Sequence, residues 1–303
     1  MTNNYYTEPF GLNNLTMASF KNYLSLIKFS HTIFALPFAL IGFFLASKEY
    51  GFEWHTLIYV LLCMLFARSA AMAFNRYIDR DIDLDNPRTA QDREIPNGTI
   101  KPQSALLFVV FNCLAFVATT YFINTLCFYL SPIALLVILG YSYTKRFTSI
   151  CHIFLGFSLS LSPIGAYLAV AGVFNITPLL FSLVVLFWVS GFDIIYSLQD
   201  EKFDKSQKLH SIPVLIGSKK AMLVSRILHT ITFLLLLIIG FSYSFQIYYW
   251  IGTSAFTSML IYQHYLITPI DLSKINIAFF TTNGIASVIL SIFIIIDLLT
   301  QSL

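Results

Sequence analysis

The chain has 303 residues, of which 57% are hydrophobic and only 11% charged. Together with a mean hydropathy of +0.75, this composition excludes an ordinary soluble globular domain and predicts a polytopic membrane protein. The net charge of +3 says little, but six of the fifteen acidic residues lie in 79–94 and four more in 193–204. Acidic charge is therefore concentrated in two stretches.

The N-terminal residues are polar and lack the pattern of a cleaved signal peptide, a basic region followed by a short apolar stretch and small residues. We expect residues 1–20 to form a cytoplasmic tail and residues 21–303 to form a single transmembrane domain. The four cysteines have no metal-like spacing, so they indicate neither a metal site nor a disulfide framework.

Apolar segments of spanning length, about 20 residues, follow one another along the chain. We predict an all-α fold with nine transmembrane helices, at residues 22–47, 56–78, 104–123, 126–143, 151–172, 178–199, 220–241, 246–267 and 275–298. Basic residues gather in alternate connections, and the positive-inside rule then places the N-terminus and both acid-rich stretches in the cytoplasm. The protein is expected in the lipid bilayer of the inner (cytoplasmic) membrane. Asp297 and His264 have no evident partners, and we expect them at the membrane interface.

Two basic residues lie in or beside the first two predicted spans. Lys28, near the inner end of the first, either snorkels to lipid headgroups or meets a substrate. Arg68 lies within the second, where a charged residue is costly and usually functional. Arg68 either binds a substrate or pairs with a carboxylate such as Asp193 only to hold helices together, and we favour substrate binding.

Two rows of polar side chains end the second and sixth predicted spans. Asn75, Asp79 and Asp83 follow one another at four-residue steps, so they share one helix face; we call them the first acidic ridge. The second acidic ridge repeats the pattern over Asp193, Tyr196, Asp200 and Asp204. Oxygen-bearing side chains of this kind suit Mg²⁺, so each ridge is expected to bind a cation or a polar substrate.

Basic side chains accompany the ridges. The segment 85–98 contains Arg88 and Arg93 between two prolines and an Asn-Gly turn, which predicts a structured loop over the ridges; a solvated loop with surface ion pairs is the alternative. Tyr141 and Lys145 end the fourth span on the same side. Arginine and lysine in these positions suit phosphate.

Four motifs together resemble the UbiA superfamily of intramembrane aromatic prenyltransferases. They are the first ridge, Arg-Glu-Ile-Pro-Asn-Gly at 93–98, Tyr141 with Lys145, and the second ridge. The resemblance implies nine helices around a central cavity with a lateral opening to the bilayer. It also implies Mg²⁺ and diphosphate ligands at Asn75, Asp79, Asp83, Asp200 and Asp204, and phosphate contacts from Lys145, Arg88 and Arg93. Asp193 would remove a proton or orient the acceptor.

The implied reaction joins a polyprenyl diphosphate and an aromatic acid in ubiquinone or menaquinone synthesis. The chain looks most like the branch that includes 4-hydroxybenzoate polyprenyltransferases. The stretches 67–76 and 27–32 favour relatives of the futalosine route, whose acceptor is 1,4-dihydroxy-6-naphthoate. Two residues depart from the pattern, Arg76 in place of an acidic residue and His210 in place of a lysine. We expect no nucleic-acid partner and no obligate protein partner.

A secondary transporter is the main rival, because intramembrane carboxylates also mark ion paths. Transporters commonly contain inverted repeats with sites near the midplane. Here both ridges end helices that run toward the same side, which favours the enzyme. A CDP-alcohol phosphotransferase is disfavoured because the chain contains no Asp-Gly pair.

Overall fold

A computed structural model describes residues 20–28 and 34–301, and within those ranges it contains helices and no β-strand. The predicted all-α fold is confirmed. The helices are α1 (Phe20–Leu26), α2 (Leu36–Tyr50), α3 (Trp54–Ile78), α4 (Arg80–Asp85), α5 (Pro102–Ile123), α6 (Thr125–Thr144), α7 (Cys151–Ala171), α8 (Ile176–Ser197), α9 (Glu201–Ser206), α10 (Ile212–Ile216), α11 (Ser218–Ser242), α12 (Ile247–Leu266) and α13 (Asn283–Thr300). A 3₁₀ turn at Leu198–Asp200 joins α8 to α9, and a π-helical turn at Ile277–Thr282 precedes α13.

Seven of the described helices are long and apolar enough to cross a membrane, namely α3, α5, α6, α7, α8 with its extension to Ser206, α11, and α13 with the π-helical turn. The predicted multi-span membrane protein is thus confirmed. α2 and α12 occupy the other two predicted spans. Because α2 has only 15 residues and a spanning helix needs about 20, the count of nine spans stays a prediction.

The first predicted span, one continuous helix over 22–47, is wrong, because α1 ends at Leu26 and α2 begins at Leu36. Pro37 lies in the first turn of α2, and proline disfavours helical conformation in the residue before it. Lys28 has a φ of 44°, a left-handed conformation that an α-helix of L-residues cannot continue. α1 is therefore a separate short helix. The predicted tail over 1–19 lies outside the described residues.

α8 is the central helix and packs against α2, α7 and α11. Two glycines show how closely its surroundings are packed. A Cβ at Gly156 of α7 would lie 2.4 Å from the carbonyl oxygen of Leu186, and one at Gly42 of α2 would lie 2.0 Å from that of Pro163. Small residues let helix backbones approach in this way. The contact of Gly156 with Leu186 holds α8 close to α7, and that of Gly42 with Pro163 holds α2 close to α7.

Asp297 and His264 do have partners, so the expectation for these two residues was wrong. Asp297 is fully buried, and its carboxylate accepts hydrogen bonds from the amides of Gln246 (2.8 Å) and Tyr249 (3.1 Å). It therefore caps the N-terminus of α12. His264 Nε2 lies 2.9 Å from Nδ1 of His229, which links α12 to α11.

Candidate active site

The first acidic ridge lies on one face where α3 meets α4. The helix is interrupted only at Asp79, whose amide still donates to the Asn75 carbonyl (2.9 Å) and whose carbonyl accepts from the Asp83 amide (2.8 Å). Asn75 Nδ2 donates to Asp79 Oδ2 at 3.2 Å. Asp79 and Asp83 are only 2% and 3% exposed. Buried carboxylates need charged partners, and both have them.

Two basic residues at the end of α6 contact Asp79. Lys145 Nζ lies 2.7 Å from Asp79 Oδ2, and Arg146 Nη1 lies 3.0 Å from Oδ1. Arg146 Nη2 also donates to the carbonyl of Ile78 at 2.8 Å, so it satisfies a backbone acceptor at the end of α3. The C-terminal ends of α3 and α6 are thereby fixed to each other.

The segment between α4 and α5, which we call the 86–101 loop, carries two arginines to the ridges. Arg93 forms an ion pair with Asp83, and Thr89 Oγ1 donates to the Asp83 carbonyl at 2.9 Å. Backbone hydrogen bonds from Ala90 to Asn86 (2.9 Å) and from Arg93 to Thr89 (3.0 Å) give the loop helical turns. It is a structured segment in contact with the first ridge.

Arg88 of this loop contacts the second ridge. Its Nε lies 3.0 Å from Asp200 Oδ1 and its Nη2 lies 2.6 Å from Oδ2, a bidentate arrangement that favours the ion pair. Nη1 donates to the Tyr196 hydroxyl at 3.3 Å. Burial acts against the guanidinium charge, but the hydrogen bonds and charge of Asp200 outweigh it and raise the pKa of Arg88. Arg88 is therefore charged at any physiological pH.

Asp193 lies deeper on α8 and pairs with His152 of α7, whose Nδ1 is 2.7 Å from Asp193 Oδ2. The Ile212 amide donates to His152 Nε2 at 3.4 Å, which leaves Nδ1 as the donor to Asp193. The alternative that Arg68 pairs with Asp193 is wrong.

Asp204 lies near the charges of Asp200, Lys145 and Arg88, but neither Asp204 nor Lys28 is paired in this network. Neither side chain makes a hydrogen bond or ion pair with another residue in 20–28 or 34–301. Their predicted roles in metal and substrate binding stay predictions.

A cavity of about 390 Å³ lies between α3, α5, α6 and α7. Its lining runs from Val60 to Met72 on α3 and from Leu155 to Ala169 on α7, which at 1.5 Å per residue is a length of roughly 20 Å. The walls are mostly apolar, but Arg68 and Tyr141 line them as well. Arg68 Nε is buried and has no hydrogen-bond partner among the described residues. A buried cation thus faces an otherwise apolar cavity.

The profile of the UbiA prenyltransferase family matches residues 35–285. The chain belongs to this family. The prediction of a prenyltransferase is confirmed, and the transporter interpretation is set aside.

Two similar curated proteins are both named 4-hydroxybenzoate octaprenyltransferase. The protein from Photobacterium profundum is 29% identical over 280 residues, covering 91% of this chain and 96% of that protein. The protein from Marinobacter nauticus is 30% identical over 222 residues, covering 73% of this chain and 74% of that protein.

Solved structures agree with the family assignment. The apo structure of a UbiA homologue from Aeropyrum pernix K1 has a TM-score of 0.80 and 30% identity, covering 88% of this chain and 98% of that one. A UbiA homologue from Archaeoglobus fulgidus, solved with DMAPP and Mg²⁺, has a TM-score of 0.66 and 19% identity, covering 88% of this chain and 99% of that one. The second comparison supports the fold alone.

Sequence reasoning missed three residues of this UbiA-family site. Arg146, which directly follows Lys145, was interpreted as a charge that sets orientation and that a diphosphate could also use, but its contact with Asp79 was not predicted. Asn86 donates to Asp200 Oδ1 at 3.4 Å and accepts from the Arg88 amide at 3.0 Å, and its place before Pro87 was the available signal. His152 had no local signal, because its partners Asp193 and Ile212 are 41 and 60 residues away.

Proposed function

We propose that the chain transfers a polyprenyl group from a polyprenyl diphosphate to the ring of a phenolic acid, with 4-hydroxybenzoate as the acceptor and Mg²⁺ as the cofactor. Family membership supports prenyl transfer, and the names of the curated relatives support the acceptor. The donor class is proposed from family membership, and the metal from the oxygen-bearing side chains of the two ridges.

The observation that carries this proposal is the arrangement of the two ridges beside the apolar cavity. The ridges and their bases form a polar region at the ends of α3, α6 and α8, and the cavity continues from Tyr141 along α6. A diphosphate suits the polar region, whereas a prenyl chain suits apolar walls. Arg68 inside the cavity suits the carboxylate of an aromatic acid, because guanidinium binds carboxylate bidentately.

The oxygen-bearing side chains of the two ridges have the chemistry of Mg²⁺ ligands. Among the described residues no three carboxylate, thiol or imidazole side chains converge on one point, and instead Asp79, Asp83 and Asp200 of the ridges each contact a base. Asp79, Asp83 and Asp200 are matched by Lys145, Arg146, Arg93 and Arg88. An incoming diphosphate adds several negative charges where four basic residues already face three aspartates, so it needs accompanying cations. Asn75, Asp79 and Asp83 on one side and Asp200 and Asp204 on the other would hold them.

In the proposed reaction the C–O bond of the allylic diphosphate breaks, and its electron pair leaves with the diphosphate. Arg88, Arg93 and Lys145 bind the diphosphate oxygens and stabilise the growing negative charge. Mg²⁺, when bound, supplies further positive charge for the same purpose. A new C–C bond forms at the ring carbon ortho to the phenol hydroxyl, and that carbon then loses its proton.

Asp193 is our proposed proton acceptor. His152 holds one of its carboxylate oxygens at 2.7 Å, and the side chain is still 22% exposed. A positioned carboxylate with an accessible oxygen can receive the ring proton. Tyr196 lies one turn further along the same helix and contacts Arg88 of the 86–101 loop, so Asp193 lies on α8 one turn from a residue that contacts this arginine.

The membrane placement follows from the substrates. A polyprenyl diphosphate is dissolved in the bilayer by its chain, while the diphosphate and the phenolic acid come from the aqueous side. We therefore propose that the protein lies in the cytoplasmic membrane with both ridges and the N-terminus facing the cytoplasm, as the basic residues indicate.

Purified protein in lipid nanodiscs would test the proposal, with a labelled polyprenyl diphosphate, Mg²⁺ and a panel of acceptors. The panel contains 4-hydroxybenzoate, 1,4-dihydroxy-6-naphthoate, phenol and a glycerol phosphate lipid. We expect a prenylated phenolic acid, with 4-hydroxybenzoate preferred. Preference for the naphthoate would correct the acceptor, and transfer only to the glycerol lipid would overturn the aromatic assignment.

A further inference from the structure

α1 makes a polar contact with the 86–101 loop that the site described above does not use. Ser25 Oγ donates a hydrogen bond to Glu94 Oε1. Glu94 directly follows Arg93, the residue that pairs with Asp83. It is only 5% exposed, and its other oxygen, Oε2, is buried with no hydrogen-bond partner among the described residues.

Glu94 is buried among charges. Arg76 of α3 is 7% exposed, and its Nε also lacks a partner within the described residues. Glu94, Asp83 and Arg93 are the charged groups around this guanidinium. A buried carboxylate is costly without compensation. Among the described residues, the Ser25 hydroxyl and the Arg76 charge compensate for the burial of the Glu94 carboxylate.

Apolar contacts reinforce the same connection. Leu26 and Ile27, at the end of α1, are 0% and 5% exposed, and they pack in one cluster with Ile95 and Ile100 of the loop. The rings of Tyr23 and Phe108 lie 4.9 Å apart, which also ties α1 to α5. α1 therefore covers the part of the loop that directly follows Arg93.

We propose that Glu94 is a positioning residue. Its hydrogen bond with Ser25 links α1 to the 86–101 loop and so keeps Arg88 and Arg93 in contact with the aspartates. α1 becomes a part of the donor site, although none of its side chains needs to touch the substrate. The proposal rests on the proposed function for its kinetic consequence only. It also accounts for Arg76, whose positive charge stands opposite Glu94 where the family pattern has an acidic residue.

The test compares Ser25→Ala with Ser25→Thr, which keeps the hydroxyl, and with the control Ser47→Ala. Within the described residues, Ser47 Oγ bonds only to the Phe43 carbonyl of its own helix, at 2.9 Å. Hydrogen–deuterium exchange in nanodiscs is read at the amides of Ala90, Arg93 and Asn97, which are bonded within the loop. We expect Ser25→Ala to raise their exchange about threefold to tenfold, Ser25→Thr to restore it, and Ser47→Ala to change nothing.

Kinetics supply the second measurement. Ser25→Ala should raise the KM for the prenyl diphosphate by a similar factor, about threefold to tenfold, and leave kcat and the acceptor KM unchanged. Glu94→Gln, which can still accept from Ser25, should be milder than Glu94→Ala. Unchanged loop exchange in Ser25→Ala overturns the proposal. Faster exchange without any prenyl transfer by the parent protein would uphold the contact and reject only the proposed function.

Discussion

Arg88 and Asp200 are 112 residues apart in the chain, and their side chains meet in a bidentate ion pair with distances of 3.0 and 2.6 Å. The pair links the second acidic ridge to the 86–101 loop, which contacts the first ridge through Arg93. Because Arg88 belongs to the loop and Asp200 to the end of α8, the pair holds two separate parts of the bundle at one site. A bound diphosphate would share Arg88 with Asp200 rather than meet a free cation.

Arg88→Ala should therefore weaken donor binding. We expect its KM for the prenyl diphosphate to rise about tenfold or more, because a charge-assisted contact is lost, and Arg88→Lys to recover only part because the bidentate geometry is gone. Steady-state kinetics would measure both. Arg80→Ala is the matched control. Arg80 also lies beside the first ridge, but its guanidinium donates to the nearby Tyr77 carbonyl at 2.7 Å and to no ridge aspartate in the described chain. Equal losses in both alanine variants would contradict the assignment.

Asp79→Asn and Asp200→Asn keep the size of the side chain but remove a metal-binding charge. Each should lower turnover about 10²- to 10³-fold and raise the Mg²⁺ concentration that half-saturates the enzyme. Asp81→Asn is the control, because the Asp81 side chain is 82% exposed. Titration of activity with Mg²⁺ gives the answer. Near-normal activity in both ridge variants, at normal membrane yield, would refute the two-ridge site.

Arg68→Ala should raise the KM of the acceptor strongly and that of the donor little, because Arg68 lines the cavity and its Nε has no partner in the described chain. Arg68→Lys should lose part of the affinity, since one ammonium cannot replace a planar fork. The comparison of 4-hydroxybenzoate with phenol shows whether the carboxylate matters. If the variant stays folded and treats both phenols as the parent does, Arg68 does not bind the carboxylate.

Asp193→Asn should reduce kcat while both KM values stay close to those of the parent, because a proton acceptor acts in the chemical step. His152→Gln should give a smaller loss, since it removes the group that orients the carboxylate at 2.7 Å. Single-turnover rates would separate chemistry from product release. A large rise in either KM with kcat preserved would make Asp193 a binding residue instead.

Topology can be tested by labelling single cysteines in intact cells after replacement of the four native cysteines. Cysteines at Asn97 and Gln207 should react only with reagents that enter the cytoplasm, and one at Asn175 with reagents that stay outside. Charge distribution is the reason, because basic residues flank the first two positions. Labelling of Asn97 and Gln207 from opposite sides would be incompatible with one shared site.

The sequence by itself determined the elements that depend on local pattern. Apolar segments of spanning length marked eight of the predicted helices, with α3 ending at Ile78 next to Asp79 and α8 at Ser197 before Asp200. Four-residue spacing placed Asn75, Asp79 and Asp83 on one face, because that periodicity is a property of the helix alone. Charge concentration also identified both ridges, because a charge in a membrane is costly whatever the fold.

Only the tertiary structure decided which charges meet. Arg146 contacts Asp79 across 67 residues, and Glu94 accepts from Ser25 across 69 residues. Such pairs depend on the depth and rotation of separate helices. Close backbone contacts, such as that of Gly42 with Pro163, determine how helices lie against each other. The same helix packing pairs Asp193 with His152 and leaves Arg68 facing the cavity. Charge and periodicity thus predict which residues form a site, whereas helix packing decides how they are paired.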